Sequence, residues 1–398
     1  MAKSEKRTVP VLVLGNGLTV LGVMRCLGRK RIPLFCLSEG MSFERRSRWC
    51  RHLGPGVGTF ATSSDLERVL ESLPLESGVL MACSDHWTVE ATHISAALKN
   101  RFRLCLPETD VLHRFVDKGR FSELLAEAHV PHPFTLVAKT DHDVIESAKR
   151  SGGGLFLKPT ESQRFLQKFG KKAFRIDDVA KAVAIFNEAR EAGLGVMVQE
   201  YIPGSSDRHY FVDGFVDRGH RLHAVFARRR IRMYPPDFGN SSYMVSVPLE
   251  EVADAVNTLR TLFETARYRG IFSAEFKLDE RDGRFKILEV NCRPWWYIQF
   301  AAECGVDVVE MAYCDALGLA LPPFGAYKAG VRLVFAYYDF QALREARGSG
   351  IGVLSGIAGS WPLARTPIFA WDDPGPAIAD FGERLKGRLT RFVGRPGV

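Results

Sequence analysis

The chain has 398 residues, 46% of them hydrophobic and 25% charged, and carries a formal charge of +8. That length allows two or three domains with substantial cores, and the ordinary composition excludes a disordered or fibrous protein. The positive charge admits nucleic acid, acidic lipid or small anionic substrates as partners and does not choose among them.

The eight cysteines, at positions 26, 36, 50, 83, 105, 292, 304 and 314, include no Cys-x-x-Cys pair. They argue against a zinc site and fit a reducing cytosol. Lys3, Lys6 and Arg7 precede an apolar run over 9–27 that could pass for a signal peptide, but Pro10, Gly15, Asn16 and Gly17 interrupt it. A strand, a turn and a helix explain those residues better. No run reaches the roughly 18 apolar residues of a membrane span, so a cytoplasmic protein is expected.

The opening reads as βαβ: a buried strand over 9–14, Gly15-Asn16-Gly17, a helix over 18–29 and a strand over 32–37. The glycines at 15, 17 and 22 miss the dinucleotide spacing, and Glu39 does not rescue it, which disfavours a dehydrogenase. A helix over 65–73, a strand over 78–83, a helix over 85–99 and a short strand over 102–106 complete an open α/β domain ending near 113. Its ligand crevice lies beyond the strand ends, at Gly15–Gly17 and Ser84-Asp85. Arg45, Arg46 and Arg48 follow the second strand and read either as a solvated loop or as a patch for an anionic co-substrate.

A helix then runs from Val116 to the prolines at 131 and 133, with Lys118 near its start, where a cation is disfavoured by the helix dipole. Gly154–Pro159 is a short strand that sets Lys158 among apolar neighbours, a costly position without an anionic partner. The loop 160–172 opens with Glu161 and carries Arg164, Lys168, Lys171 and Lys172; mobility is expected of it. After a helix over 177–192 comes a strand from Val196 that turns at Pro203-Gly204, ahead of Asp207. A hairpin over 209–227 leads into the run Arg228 to Arg232, which reads as a solvated edge or, with its aromatics, as an RNA contact. Pro235-Pro236-Asp237-Phe238-Gly239 and a helix over 249–267 follow.

Ser273 to Leu278 and Arg284 to Val290 alternate polar and apolar residues around the turn Asp279–Gly283, the pattern of a hairpin. Glu275 on one strand and Glu289, Asn291 and Arg293 on the other share a parity and so a face. Two carboxylates, an amide oxygen and a guanidinium suit Mg²⁺ with a phosphate ligand, although solvated hairpin charges would read the same way. Cys292 has the opposite parity, as a buried structural thiol would. Helices through 302 and over 307–319 follow, then a strand-like stretch over 331–338 and a basic helix over 377–392.

Taken together, Asp117-Lys118, Lys158, Gln199 to Asp207 and Glu275 with Glu289-x-Asn291-x-Arg293 resemble the ATP-grasp superfamily over roughly residues 10 to 325. The segment ending Pro235 to Gly239 is similar to its carboxylate-amine ligase subgroup, which includes relatives of D-aspartate ligase. The resemblance implies a multidomain α/β and α+β protein. A Rossmann-like pre-ATP-grasp domain would span 1–113, a lid subdomain 114–200, a large subdomain with the metal site 201–330, and an appendage 331–398. It implies that Lys118 and Lys158 meet ATP phosphates, that Glu200, Tyr201 and Ile202 form the adenine hinge, and that Asp207 holds the ribose. Glu275, Glu289 and Asn291 would hold Mg²⁺, with Arg293 and Arg230 or Arg228 at the transferring phosphoryl group. The implied activity joins a small carboxylate, an amino acid or related acid, to an amine through an acyl phosphate, releasing ADP and phosphate. Phosphotransfer to an alcohol and ATP sensing without turnover stay open. A homodimer is compatible with this reading, and nucleic acid is the weakest partner.

Overall fold

A computed structural model describes residues 9–37, 42–51, 61–151, 154–160, 162–171, 173–236, 239–348 and 350–393. Glu39, Glu161, Lys172, Asp237 and Phe238, named above, lie outside them. Three sheets organise the described chain.

The N-terminal apolar runs form a parallel sheet of β1 (Val11–Leu14), β2 (Leu34–Leu37), β3 (Cys50–Arg51), β4 (Gly78–Ala82) and β5 (Phe102–Arg103), in the order β3-β2-β1-β4-β5. β1 is buried throughout, which is why it carries no polar alternation. The order reverses between β1 and β4, and there Gly15 turns the chain with φ +119°, a conformation that favours glycine. The helix expected over 85–99 is two, Asp85–Thr92 and Ala96–Arg101. The helix expected from Val116 is also preceded by another, Thr109–Val116, which crosses the anticipated boundary at 113. The break comes at Asp117, whose extended backbone places its carboxylate 2.8 Å from the Arg120 N–H and so starts the helix Lys118–Glu127.

A smaller antiparallel sheet follows, β6 (Thr135–Ala138), β7 (Leu155–Pro159), β8 (Phe174–Ile176) and β9 (Val196–Glu200), in the order β6-β9-β7-β8. The helices Asp141–Ser151 and Val179–Glu191 pack against it around Phe186 and Val144. Much of the stretch expected as a loop over 160–172 is a helix, Ser162–Phe169. Its apolar side explains it: Phe165 is fully buried, with ring centroids 4.5 Å from Phe169 and 6.0 Å from Phe174.

The large antiparallel sheet comprises β10 (His209–Val216), β11 (Leu222–Tyr234), β12 (Asn240–Val247), β13 (Gly270–Leu278), β14 (Phe285–Asn291) and β15 (Arg332–Val334), in the order β14-β13-β10-β11-β12-β15. Alternation sorts its two faces. Phe272, Ala274 and Phe276 join Val212 and Val225 in the core beneath the helix Ala253–Ala266. The other face has two halves. Ile271, Phe215, Ala224 and Phe226 pack against the N-terminal domain and the helices after β14, whereas Ser273, Glu275 and Lys277 continue the same side as the floor of a cleft.

The C-terminal segment is anchored at two buried carboxylates. The stretch expected to stay extended through Tyr338 turns helical at Ala336 (Ala336–Arg347), because Asp339, fully buried, must lie within reach of Arg232. Asp339 accepts from Arg232 at 2.9 and 2.7 Å, from Ser242 Oγ at 2.9 Å and from Trp361 Nε1 at 2.8 Å. Asp373 likewise accepts from fully buried Arg25 at 3.0 Å, from Ser47 Oγ at 2.8 Å and from the Arg48 N–H at 2.8 Å. The basic cluster after β2 therefore receives the end of this chain at Arg48, whose guanidinium also donates to the Asp372 carbonyl at 3.2 Å. Among the described residues no helix is long and apolar enough to cross a membrane.

Because Asp373 is the counter-ion of a buried guanidinium, Asp373→Ala should destabilise the protein by about 3 to 5 kcal/mol. Denaturant unfolding should show it, and proteolysis should then cut first beyond residue 331. A midpoint within 0.5 kcal/mol of wild type, by the usual scale of surface substitutions of roughly that size, would refute the anchor.

Candidate active site

The cleft encloses about 840 Å³ between the large sheet and the small one. Its floor follows from register. Glu275 pairs directly with Glu289 across β13 and β14 and with Phe211 across β10, while Phe211 pairs with Arg228 on β11. The next pairs on either side are Ser273 with Asn291 and with Asp213, and Lys277 with His209. The expected shared face of Glu275, Glu289 and Asn291 is thus realised, with a register shift after Glu275 that sets Leu288 outside the pairing.

The two carboxylates differ electrostatically. Burial alone would raise Glu275, but Arg230 at 3.3 Å, the His209 ring at 2.7 Å and Lys158 outweigh it and hold the carboxyl at about 2. Glu289 is pushed upward by burial and by the adjacent charges of Glu275 and Asp85, against Lys158 and Arg293. This is the behaviour of a carboxylate pair short of positive charge on one side. Three oxygen donors on one face, with Glu289 open to the cleft and under-compensated, fit a hard divalent cation such as Mg²⁺. Among the described residues no group of three His, Cys, Asp or Glu side chains is placed to hold a metal ion by itself.

Lys118 and Lys158 approach from the small sheet. Lys158 donates to Gln199 Oε1 at 2.6 Å and Lys118 to the Pro159 carbonyl at 2.9 Å. Burial lowers both, and Glu289 pulls both back up. Lys118 opens onto a neighbouring cavity of about 370 Å³ that shares Lys158, Glu289 and Asn291 with the cleft.

The arginines have distinct roles in the architecture. Arg228, 3% exposed, is held by Asp213 at 2.7 Å, which Ser273 Oγ also reaches at 2.6 Å. Arg230 meets Ser241 Oγ at 3.0 Å and Glu275, and both guanidiniums cover the Phe211 ring, at 4.0 and 5.0 Å. A solvated edge or an RNA-facing stripe is therefore excluded for these two buried side chains. Arg293 lies beyond the end of β14 and makes a bidentate pair with Asp85 at 2.7 and 2.9 Å, while also donating to Asn291 Oδ1 at 3.2 Å. It ties the metal face to the N-terminal domain at the crevice beyond β4.

Two expectations at the hinge change in detail. Glu200, Tyr201 and Ile202 do line the cleft, but the Glu200 N–H is already donated to the Phe134 carbonyl at 2.8 Å. The Glu200 carboxylate accepts from the Phe134 N–H at 3.1 Å and from Arg281 at 2.5 Å, so the side chain clamps the hinge. Asp207 does not line the cleft; its carboxylate accepts from Ser205 Oγ at 2.5 Å, and Ser205 and Ser206 take the wall. Cys292 is buried with its thiol pushed up to about 12 by desolvation, as its parity implied.

Sequence reasoning missed His209, Gln199 and Lys277, whose side chains complete the floor and the lysine support. The pairing of His209 with Lys277 was legible only once the β10–β13 register was known. It also missed Ala342, Glu345 and Ala346 of the C-terminal segment, which close the cleft near Arg232 and Trp296.

No family model matches the chain. It is 25% identical to D-aspartate ligase of Enterococcus faecium (strain Aus0004) over 54% of this chain and 53% of that one. It is 24% identical to the arginine-specific carbamoyl phosphate synthase large chain of Halalkalibacterium halodurans over 72% of this chain and 28% of that one. The chain thus spans about half the length of the first relative and less than a third of the second. Among solved structures, N5-carboxyaminoimidazole synthetase from Staphylococcus aureus superposes with TM-score 0.63 at 11% identity, covering 82% of each chain. Biotin carboxylase from Campylobacter jejuni gives 0.62 at 16%, covering 83% of this chain and 75% of that one. The fold is the ATP-grasp fold, with a parallel α/β domain ahead of it. By sequence the chain is similar to D-aspartate ligase over about half its length, and the solved structures it resembles share its fold.

Glu275 is held below its ordinary 4.5, so its contribution is full above that value and is lost as pH falls toward about 2. Wild type and Glu275→Gln should therefore converge in stability on acidification from pH 4.5, by up to about 1.4 kcal/mol per pH unit. Denaturant titrations at stepped pH check this, and parallel curves would count against it.

Proposed function

We propose that the protein is an ATP-dependent carboxylate-amine ligase working through an acyl phosphate. The observation that carries the reading is the single floor on which Glu275, Glu289 and Asn291 adjoin Lys158 on one side and Arg230 and Arg228 on the other. The relatedness to D-aspartate ligase supports a small acid, an amino acid or similar, as the activated substrate.

ATP lies with its base at Glu200 to Ile202 and its phosphates over the carboxylate pair. Lys158 and Lys118 hold the phosphate oxygens, and Glu275, Glu289 and Asn291 hold Mg²⁺. When bound, the cation screens the phosphate charge that would otherwise repel an incoming carboxylate. Arg230 and Arg228 orient that carboxylate, and one of its oxygens attacks the γ-phosphorus as the bond to the ADP oxygen breaks. Arg293, held by Asp85, lies on the N-terminal side of the transferring group. The amine then attacks the acyl carbon, the tetrahedral oxyanion forms beside the arginines, and phosphate leaves with the acyl–oxygen bond while the nitrogen loses a proton. The site needs no protein nucleophile. An acyl phosphate hydrolyses readily, so closing the small sheet over the floor has a chemical purpose.

The test is ADP and phosphate release from ATP, Mg²⁺ and pooled carboxylic acids, with hydroxylamine to trap the acyl phosphate and Glu289→Ala as the control. Wild type should yield a hydroxamate whose mass names the acid; the control should not. Arg230→Ala should lower kcat about a hundredfold or more, as loss of a transition-state charge contact does. ADP formation with a phosphorylated alcohol and no hydroxamate would replace the ligase with a phosphotransferase.

A further inference from the structure

Lys277 is the least explained cation of the cleft. It is 7% exposed yet lines the cavity, and no hydrogen bond or ion pair to it occurs among the described residues. Its one close partner is the face of Tyr201, with Nζ 5.0 Å from the ring centroid. Arg175 covers the same ring at 4.1 Å, and the charges around Lys277 are Arg175, Glu280, Arg230 and Glu275. The other cations are satisfied: Lys158 by Gln199, Arg228 by Asp213, Arg293 by Asp85. The ammonium faces the cleft with no acceptor among the described residues, and an anion occupying the space before it would supply one.

Position says which anion. Lys277 stands two residues from Glu275 on the same face of β13, a separation of roughly 6.5 to 7 Å along a strand, and on the side of the hinge residue Tyr201. On the proposed reading the β- and γ-phosphates lie over Glu275 and the base at Tyr201. The group between them is the 5′ end of the nucleoside with its α-phosphate. The carboxylates near the ammonium are already engaged, Glu280 by Arg208 at 2.8 Å and Glu275 by Arg230 and His209, and Asp207 accepts from Ser205. We infer that Lys277 is a third phosphate-binding lysine, which donates to an α-phosphate oxygen of the bound nucleotide at the place where the cleft wall passes from metal face to hinge. This inference rests on the proposed nucleotide orientation and adds to it a contact on the hinge side of Glu275, whereas Lys118 and Lys158 line the neighbouring cavity together with Glu289. The Tyr201 ring holds the lysine stem in place between turnovers.

The experiment compares ADP with adenosine, both titrated calorimetrically in the presence of chelator so that divalent cations play no part. In Lys277→Met the ADP affinity should fall about tenfold to a hundredfold, the range of a lost charge-assisted hydrogen bond, and adenosine affinity should change less than about twofold. Lys277→Arg should restore most of the ADP affinity. An equal loss for ADP and adenosine would overturn the inference, since the lysine would then act on the base or the fold. Unchanged ADP affinity would overturn it too. If the wild type binds no adenine nucleotide, it is the proposed function that fails, and that outcome is visible before any variant is made.

Discussion

The structure depends on placing two carboxylates opposite each other on neighbouring strands at the floor of the cleft, Glu275 half-buried and Glu289 open to the cleft. Glu275 and Glu289 are direct partners, and like charges directly opposite are destabilising in a sheet. Everything around them compensates. His209, Arg230 and Lys158 settle Glu275, whereas Glu289 stays raised by burial and by its neighbour. On the proposed reading, arriving positive charge would complete the compensation of Glu289.

A second layer makes this tolerable. Most cations of the cleft are held by an acid from another element: Arg228 by Asp213, Arg293 by Asp85, and Arg232 by Asp339 of the C-terminal segment. Those acids fix the guanidiniums in planar, bidentate arrangements without side-chain entropy left to lose when substrate arrives. They also join the parts of the chain. The Arg293–Asp85 pair binds the metal face to the crevice of the parallel sheet, and the Asp339 network binds the appendage to β11 and β12. Catalytic geometry and domain assembly therefore share the same ion pairs.

The C-terminal segment shows how far this sharing goes. Its two anchors, Asp339 and Asp373, are buried acids satisfied by arginines from β11 and from the first helix. With those anchors in place, the helix Ala336–Arg347 brings Ala342, Glu345 and Ala346 to the cleft wall. What read as an appendage is part of the site, at the end of the cleft away from the hinge.

The sequence alone determined the parallel N-terminal sheet, the hairpin after residue 270 and the shared face of Glu275, Glu289 and Asn291. Each rests on a local periodicity of two residues or on continuous burial, which survives without knowledge of distant neighbours. The resemblance to the ATP-grasp superfamily, and not any local spacing, singled out Lys118, Lys158 and Glu200 to Ile202, of which Lys158 and the latter three line the cleft. The tertiary structure decided the rest: that Asp207 bonds Ser205 outside the cleft lining, that the backbone at Arg48 meets Asp373, that loop 160–172 is largely helical, and that Lys277 faces His209 across the floor. These are contacts between residues tens to hundreds of positions apart, or choices a buried phenylalanine makes once a sheet is there to cover it. No local pattern encodes a counter-ion 348 residues away, as in Arg25 and Asp373, because the pairing exists only after both surfaces have folded.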